Sequence, residues 1–179
     1  MKRILASLVL LILVAAASAA KLPRQSPDFA LSPPGGDTLL LSSLKGKVVV
    51  IEFLFIKSEH CLRVAQMVNG LQHELGPRGF QPVGVVFDPP NAVAGGGQGI
   101  TAMVSYFKLS YPVAYASKDS VDSYLDRART EVLNIPQIVV IDRKGTIRAA
   151  SGGSGGDPRL EDEGALRTLL EGLLKESTN

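Results

Sequence analysis

Along this chain, segments with the hydrophobic spacing of a strand alternate with segments that have the hydrophobic spacing of a helix. Residues 48–55 form a nearly continuous run of β-branched and aromatic side chains, broken only by Glu52, which predicts a strand covered on both faces. Over residues 59–75, apolar positions recur every three or four residues, and a Gly-Pro pair follows. This segment predicts an amphipathic helix that ends at the Gly-Pro pair.

The rest of the pattern continues in the same way. Further strands are predicted at residues 80–87, 111–115, 137–141 and 146–149, and further helices at 100–107, 119–130 and 160–175. Asp119 or Ser120 is expected to cap the helix at 119–130. Residues 28–31 and 38–41 flank a Pro-Pro-Gly-Gly-Asp turn and predict an N-terminal β-hairpin, preceded by a polar lead-in at 21–27. Strands that alternate with helices and close in a hairpin predict an α/β fold with a mixed central sheet.

Residues 1–20 have the pattern of a secretory signal peptide. A basic start with Lys2 and Arg3 precedes an apolar stretch at 4–16 and an Ala-Ser-Ala cleavage site at 17–19. We therefore expect one mature domain over 21–179, exported to a bacterial periplasm or the extracellular space, with no stable membrane span after cleavage.

Charge and composition exclude several classes of function. Loss of Lys2 and Arg3 leaves as many basic residues as the 17 acidic ones, so nothing indicates a nucleic-acid partner. Two histidines and one cysteine form no recognisable metal set, and no cofactor is indicated. The lone Cys61 cannot pair within the chain, and is an inert core residue, an intermolecular partner or a reactive thiol.

Cys61 lies where the predicted strand gives way to the predicted helix. Ser58 is a suitable N-cap and would place Cys61 in the first helical turn, where exposed amides and the helix dipole favour a thiolate. Lys57 and His60 would add positive charge, and Glu59 would oppose it. The alternative is that Cys61 packs as a small buried hydrophobe.

Glu52 and Pro136 are the other candidate site residues. Because Glu52 interrupts an apolar strand, we expect a buried carboxyl with a raised pKa; alternatively, it points to a polar edge. Pro136 precedes a predicted strand and, on its own, is a strand-starting proline.

Four segments together resemble the thioredoxin-like superfamily, in particular exported TlpA-like and redoxin (AhpC/TSA-related) domains. They are SPDFAL with LLLSSLKGKVVVIEF, the tetrapeptide SEHC, LNIPQIVVIDRKGTI, and an insertion after the second core strand. The resemblance covers about residues 26–175. It implies a three-layer sandwich with a mixed β-sheet flanked by helices, an N-terminal β-hairpin and a mid-domain insertion.

The resemblance also implies roles for the candidate residues. Glu52 matches the family acid, and the resemblance implies that it accepts the Cys61 proton through water. Cys61 matches the second, resolving cysteine, and Pro136 the cis-proline. With Ile135, His60 and Lys57, Pro136 would form the edge that holds a substrate. The family's first, attacking cysteine is Ser58 here, and the usual tryptophan is missing, so the ordinary dithiol cycle is not available.

The Ser-x-x-Cys motif also resembles the Thr-x-x-Cys or Ser-x-x-Cys of peroxiredoxins. That match is limited to this one motif, because Leu54 replaces the proline of peroxiredoxins, and Arg63 and Arg143 do not match the position of their arginine. Three hypotheses remain. The chain is a single-cysteine thiol–disulfide oxidoreductase with protein disulfide or thiol partners and an external thiol reductant, a one-cysteine peroxidase, or a redox-inactive binding protein.

Overall fold

The protein is described by a computed structural model that covers residues 22–87, 97–128, 130–152 and 156–177. The predicted signal peptide and the first part of the predicted insertion, residues 88–96, lie outside this part of the chain. The strands are β1 Arg24–Gln25, β2 Ala30–Leu31, β3 Leu39–Leu40, β4 Val48–Leu54, β5 Phe80–Val86, β6 Val113–Tyr115, β7 Gln137–Ile141 and β8 Thr146–Ala150. The helices are α1 Glu59–Leu75, α2 Gln98–Phe107, α3 Lys118–Tyr124 and α4 Glu163–Lys175.

The central element is a six-stranded mixed sheet in the order β1-β8-β7-β4-β5-β6. Strand β4 runs parallel to β5 and antiparallel to β7, while β7 and β8 form the predicted closing hairpin. A separate antiparallel pair, β2 with β3, is the predicted N-terminal hairpin. These pairings confirm the α/β class and the mixed sheet.

Both faces of the sheet are covered, as the resemblance implied. All seven residues of β4 are buried, and alternate side chains enter two different cores. Val48, Val50 and Leu54 pack with α1, α2 and α4. Residues 49, 51 and 53 pack with α3 and the N-terminal hairpin. The three-layer sandwich is therefore confirmed. Within the four described ranges, no helix combines the length and apolarity needed to span a bilayer.

The prediction for residues 119–130 is wrong at both ends. Helix α3 starts at Lys118, is capped by Ser117 instead of Asp119 or Ser120, and ends at Tyr124. Beyond it, Asp126 adopts a left-handed backbone conformation with φ 54°. The chain reverses there, and the Arg127 guanidinium returns to the buried carboxylate of Asp122. This ion pair joins the last turn of the helix to the chain beyond the reversal, and it is not visible in the hydrophobic pattern.

Four other boundaries also differ from the prediction. The predicted helix at 160–175 is a 3-10 turn, Pro158–Glu161, followed by α4, with Asp162 as the N-cap between them. The polar lead-in contains β1, which pairs with the outer edge of β8. The strand predicted at 111–115 begins only at Val113. Helix α2 begins at Gln98, two residues earlier than expected.

The core around β4 provides a test of the fold. The Phe53 ring is fully buried, with its centroid 5.9 to 6.4 Å from three other aromatic rings. Replacing Phe53 with alanine should lower the free energy of unfolding by about 3–5 kcal/mol, because it removes this contact area and leaves a cavity. Urea denaturation would measure the loss. Tyr106→Ala is the matched control, since Tyr106 is 80% exposed; an equal loss in both variants would contradict the core described here.

Candidate functional site

The start of α1 is built as the sequence predicts. Ser58 is the N-cap in an extended conformation, and its hydroxyl accepts the backbone N–H of Cys61 at 3.3 Å. The Ser58 carbonyl accepts the N–H of Leu62 at 3.0 Å and begins the helical ladder. Cys61 therefore lies in the first turn of α1, as expected.

The environment of Cys61 does not favour the thiolate. Its residue exposure is 0%, and burial is the largest effect on the thiol, raising its pKa above the ordinary value. The nearby Glu52 carboxylate raises that pKa further, while hydrogen bonds from Ser58 and the Phe55 backbone lower it. Of the two alternatives for Cys61, the structure has the buried side chain, and desolvation outweighs the hydrogen bonds that favour the thiolate.

The side chains of Lys57 and His60 face solvent. Lys57 is exposed. The His60 side chain is 51% exposed, and its Nε2 lies 3.1 Å from Oε2 of Glu161 in the 3-10 turn before α4. Neither side chain offsets the effect of burial on the Cys61 pKa. The substrate-binding roles suggested for Lys57 and His60 stay predictions.

Glu52 lies beneath this helix start, in the middle of β4. Its carboxyl is completely buried, which raises its pKa to about 8, as the sequence predicted. Oε2 accepts the hydroxyl of Tyr111 at 3.4 Å, and Oε1 has no hydrogen-bond partner within the described residues. By the alternation of β4, Glu52 shares the face of Val50 and Leu54, on which α1 packs.

Pro136 is brought to the same end of the sheet. Gln137 pairs with Phe53, so Pro136, one residue earlier, lies beside the carboxyl end of β4, where the chain leaves for α1. The Ile135–Pro136 peptide bond is cis, as the resemblance implied. Pro136 is buried, and the half-buried Ile135 packs against both cores. The Ile135–Pro136 peptide therefore lies at the end of β4 from which the chain continues to Cys61.

Tyr111 belongs to this site, and the sequence analysis missed it. It lies just before β6 and is 4% exposed, and its hydroxyl oxygen also lies 3.2 Å from the backbone carbonyl oxygen of Ala65 on α1. Its only signal in the sequence is an aromatic residue before a proline, which is also typical of an ordinary core position. In the part of the chain that the structure describes, no group of three or more His, Cys, Asp or Glu residues is placed to hold a metal ion.

The fold and the arrangement at the end of β4 define a thioredoxin-like protein. A model of the AhpC/TSA family matches residues 23–150, and the chain belongs to this family. Among curated proteins, glutathione peroxidase 1 from Bos taurus is 42% identical over 71 residues, and that from Sus scrofa 41% over 71 residues. The match covers 39% of this chain and only 35% and 34% of those relatives, about a third of their length.

Solved structures support the same fold over most of the chain. A protein from Chlorobium tepidum named as thiol:disulfide interchange protein DsbE superposes with a TM-score of 0.66 at 24% identity, covering 85% of this chain and 96% of that one. A protein from Bacteroides thetaiotaomicron named as a protein disulfide isomerase gives a TM-score of 0.67 at 24% identity, covering 87% and 91%.

The Ser58 hydroxyl provides a first test of the site. Ser58→Ala should destabilise the protein by about 1 kcal/mol through loss of the helix cap. It should also raise the pKa of Cys61 further, because a hydrogen bond that lowers it is lost. The pH dependence of alkylation by iodoacetamide would measure this pKa. Ser117→Ala, which removes the equivalent cap of α3, should cost similar stability and leave the thiol pKa unchanged; equal pKa shifts in both variants would contradict a specific Ser58–Cys61 contact.

Glu52 should make the stability depend on pH. Its pKa rises on folding from 4.5 to about 8, so the folded state binds the proton more tightly than the unfolded chain. The contribution of Glu52 to the free energy of unfolding is therefore fully present below pH 4.5 and is lost as the pH rises to 8. This loss amounts to about 3 kcal/mol between pH 5 and pH 8. Denaturant unfolding should show this loss in the wild type. In Glu52→Gln, which cannot ionise, the curve should be nearly flat over that window; an unchanged pH dependence would assign it to other groups.

Proposed function

We propose that this protein is exported and carries out thiol–disulfide exchange through its single cysteine, Cys61. Export is supported by the signal-peptide pattern of residues 1–20. The single observation that carries the chemistry is the burial of the Glu52 carboxyl close enough to Cys61 to raise the pKa of its thiol, because a carboxylate so placed can accept the thiol proton through water.

The proposed reaction starts from a protonated thiol. A partner disulfide, R–S–S–R′, docks along the edge formed by Ile135 and Pro136. The Glu52 carboxylate takes the Cys61 proton through water. The Cys61 thiolate then attacks one sulfur of the disulfide, so that a Cys61–S–S–R bond forms and R′–S⁻ leaves. The leaving thiolate takes the proton back from Glu52, and an external thiol later cleaves the mixed disulfide and restores the Cys61 thiol.

The burial of the site predicts how this reaction depends on pH. Because Glu52 has a pKa of about 8, only about a tenth of the molecules hold the carboxylate at pH 7. Cys61 is also fully buried, so docking of the partner disulfide must expose the thiol. We therefore expect slow exchange at neutral pH that accelerates toward pH 9.

A second candidate function is supported by that same burial. A thiol with 0% exposure and a raised pKa also suits a redox-inactive domain that binds a partner over the Pro136 edge. The peroxidase hypothesis rests on the Ser-x-x-Cys motif and on the similarity to glutathione peroxidase 1, which spans 71 residues of this chain. Arg143, which does not match the position of the peroxiredoxin arginine, donates to the carbonyls of Gly46, Arg78 and Leu174.

Trapping of mixed disulfides tests the proposal. The wild-type protein, incubated with a disulfide-bearing peptide between pH 6 and pH 9, should give an adduct of the expected mass that forms at least tenfold faster at pH 9 than at pH 6 and is released by thiol. Cys61→Ser should give none. Sulfenic acid formed with peroxide, in place of this adduct, would select the peroxidase. Absence of both, with the protein folded, would select the binding candidate.

A restored cysteine tests the geometry independently. Ser58→Cys should gain dithiol reductase activity toward insulin if residue 58, Cys61 and Pro136 converge as proposed, and Ser58→Cys combined with Cys61→Ser is the matched control. A Ser58→Cys protein that forms no internal disulfide and no reductase activity would show that these residues do not converge.

A further inference from the structure

The Tyr111 hydroxyl lies between two acceptors on different elements of the site. It is 3.2 Å from the carbonyl oxygen of Ala65 on α1 and 3.4 Å from Oε2 of Glu52 on β4. A tyrosine hydroxyl has one hydrogen to donate, and both distances are long for an O–H···O bond, which is usually 2.7–2.8 Å. The oxygen therefore occupies a position from which it can serve either acceptor, but only one at a time.

The protonation state of Glu52 decides which acceptor needs the hydrogen. A protonated carboxyl carries its own hydrogen and can donate it to the tyrosine oxygen, which leaves the Tyr111 hydrogen for Ala65 O. A buried carboxylate is an acceptor only, and a hydrogen bond to a charged group is the stronger of the two. The shorter contact to Ala65 O is the one expected for the protonated carboxyl.

Few other groups compete with Tyr111 for this role. Across the sheet, Glu52 is flanked by Gly84 on β5 and Ile138 on β7, which carry no charge. From α1, the titratable group that interacts with it is the Cys61 thiol, and α4 contributes leucines to this core. Among the described residues, Tyr111 is the hydrogen-bond donor to the Glu52 carboxyl.

We propose that Tyr111 is a positioning residue of the Cys61 site, whose hydroxyl bonds Ala65 O while Glu52 is protonated and turns to Glu52 Oε2 when the carboxylate forms. Its role in exchange rests on the function proposed above. Ala65 lies four residues after Cys61, one turn along the same helix face. Rotation of the Tyr111 hydroxyl thus couples the protonation of Glu52 to helix α1, which carries Cys61.

For the proposed reaction, the Tyr111 hydrogen bond lets the Glu52 carboxylate form at a lower pH than its burial alone would allow. Burial raises the pKa of Glu52 and the Tyr111 hydrogen bond lowers it. Without the hydroxyl, the base that receives the Cys61 proton would form only at still higher pH.

Tyr111→Phe tests the inference, with the titration of Glu52 as its first readout. Infrared difference spectra, with Glu52→Gln used to identify the carboxyl band, should show Glu52 titrating about one pH unit higher in Tyr111→Phe than in the wild type. The pH profile of mixed-disulfide formation should shift by the same amount. Tyr124→Phe is the matched control: it removes the hydroxyl of a second buried tyrosine, in the opposite core, and should move neither curve.

A measurement on the wild type covers the case in which Tyr111→Phe does not fold. The ring vibrations of Tyr111 should change with the same midpoint as the Glu52 carboxyl band, because the hydroxyl exchanges acceptors in that titration. Equal Glu52 midpoints in wild type and Tyr111→Phe would overturn the inference. A tyrosine signal that does not change as Glu52 titrates would overturn it as well. If the wild type forms no mixed disulfide, the proposed function fails, while the two spectroscopic midpoints still decide the role of Tyr111.

Discussion

The cost of placing a charge inside a dry, fully covered strand governs this structure. Strand β4 is buried along its whole length and still carries a carboxyl group, Glu52, at its centre. Because a buried carboxylate loses its hydration, the group keeps its proton up to about pH 8. The neighbouring thiol is subject to the same constraint. The site is therefore neutral at rest, and its chemistry depends on where a single proton can go.

Two physical effects act on the pKa of Cys61 in opposite directions, and the larger one decides whether that pKa is raised or lowered. A helix start favours an anion by about 0.3–1 kcal/mol, which is less than one pKa unit. Desolvation of a fully buried group shifts the pKa by up to about 3–5 units. With 0% exposure, the thiol follows desolvation. Any partner that opens the site would restore water and the benefit of the helix start together, so access and reactivity are coupled.

Local signals were sufficient for the elements on which the site is built. The bounds of α1 agree with the prediction at both ends, since the Ser58 cap and the Gly76-Pro77 stop act through neighbouring residues. Strand β4 differs by one residue from the predicted range. Helix α3 was mispredicted, because its end depends on the chain reversal that brings Arg127 back to Asp122. Apolar spacing contains no information about such a reversal.

The sequence by itself determined the order of strands and helices and the position of Cys61 in a first helical turn, because hydrophobic period and capping are properties of contiguous residues. Only the tertiary structure decided that the thiol is covered and that Tyr111 reaches both Ala65 and Glu52. Those contacts join residues 46 and 59 positions apart. They exist only because β6, β5 and β4 lie side by side beneath α1, an arrangement that packing of the whole sheet creates and no local pattern encodes.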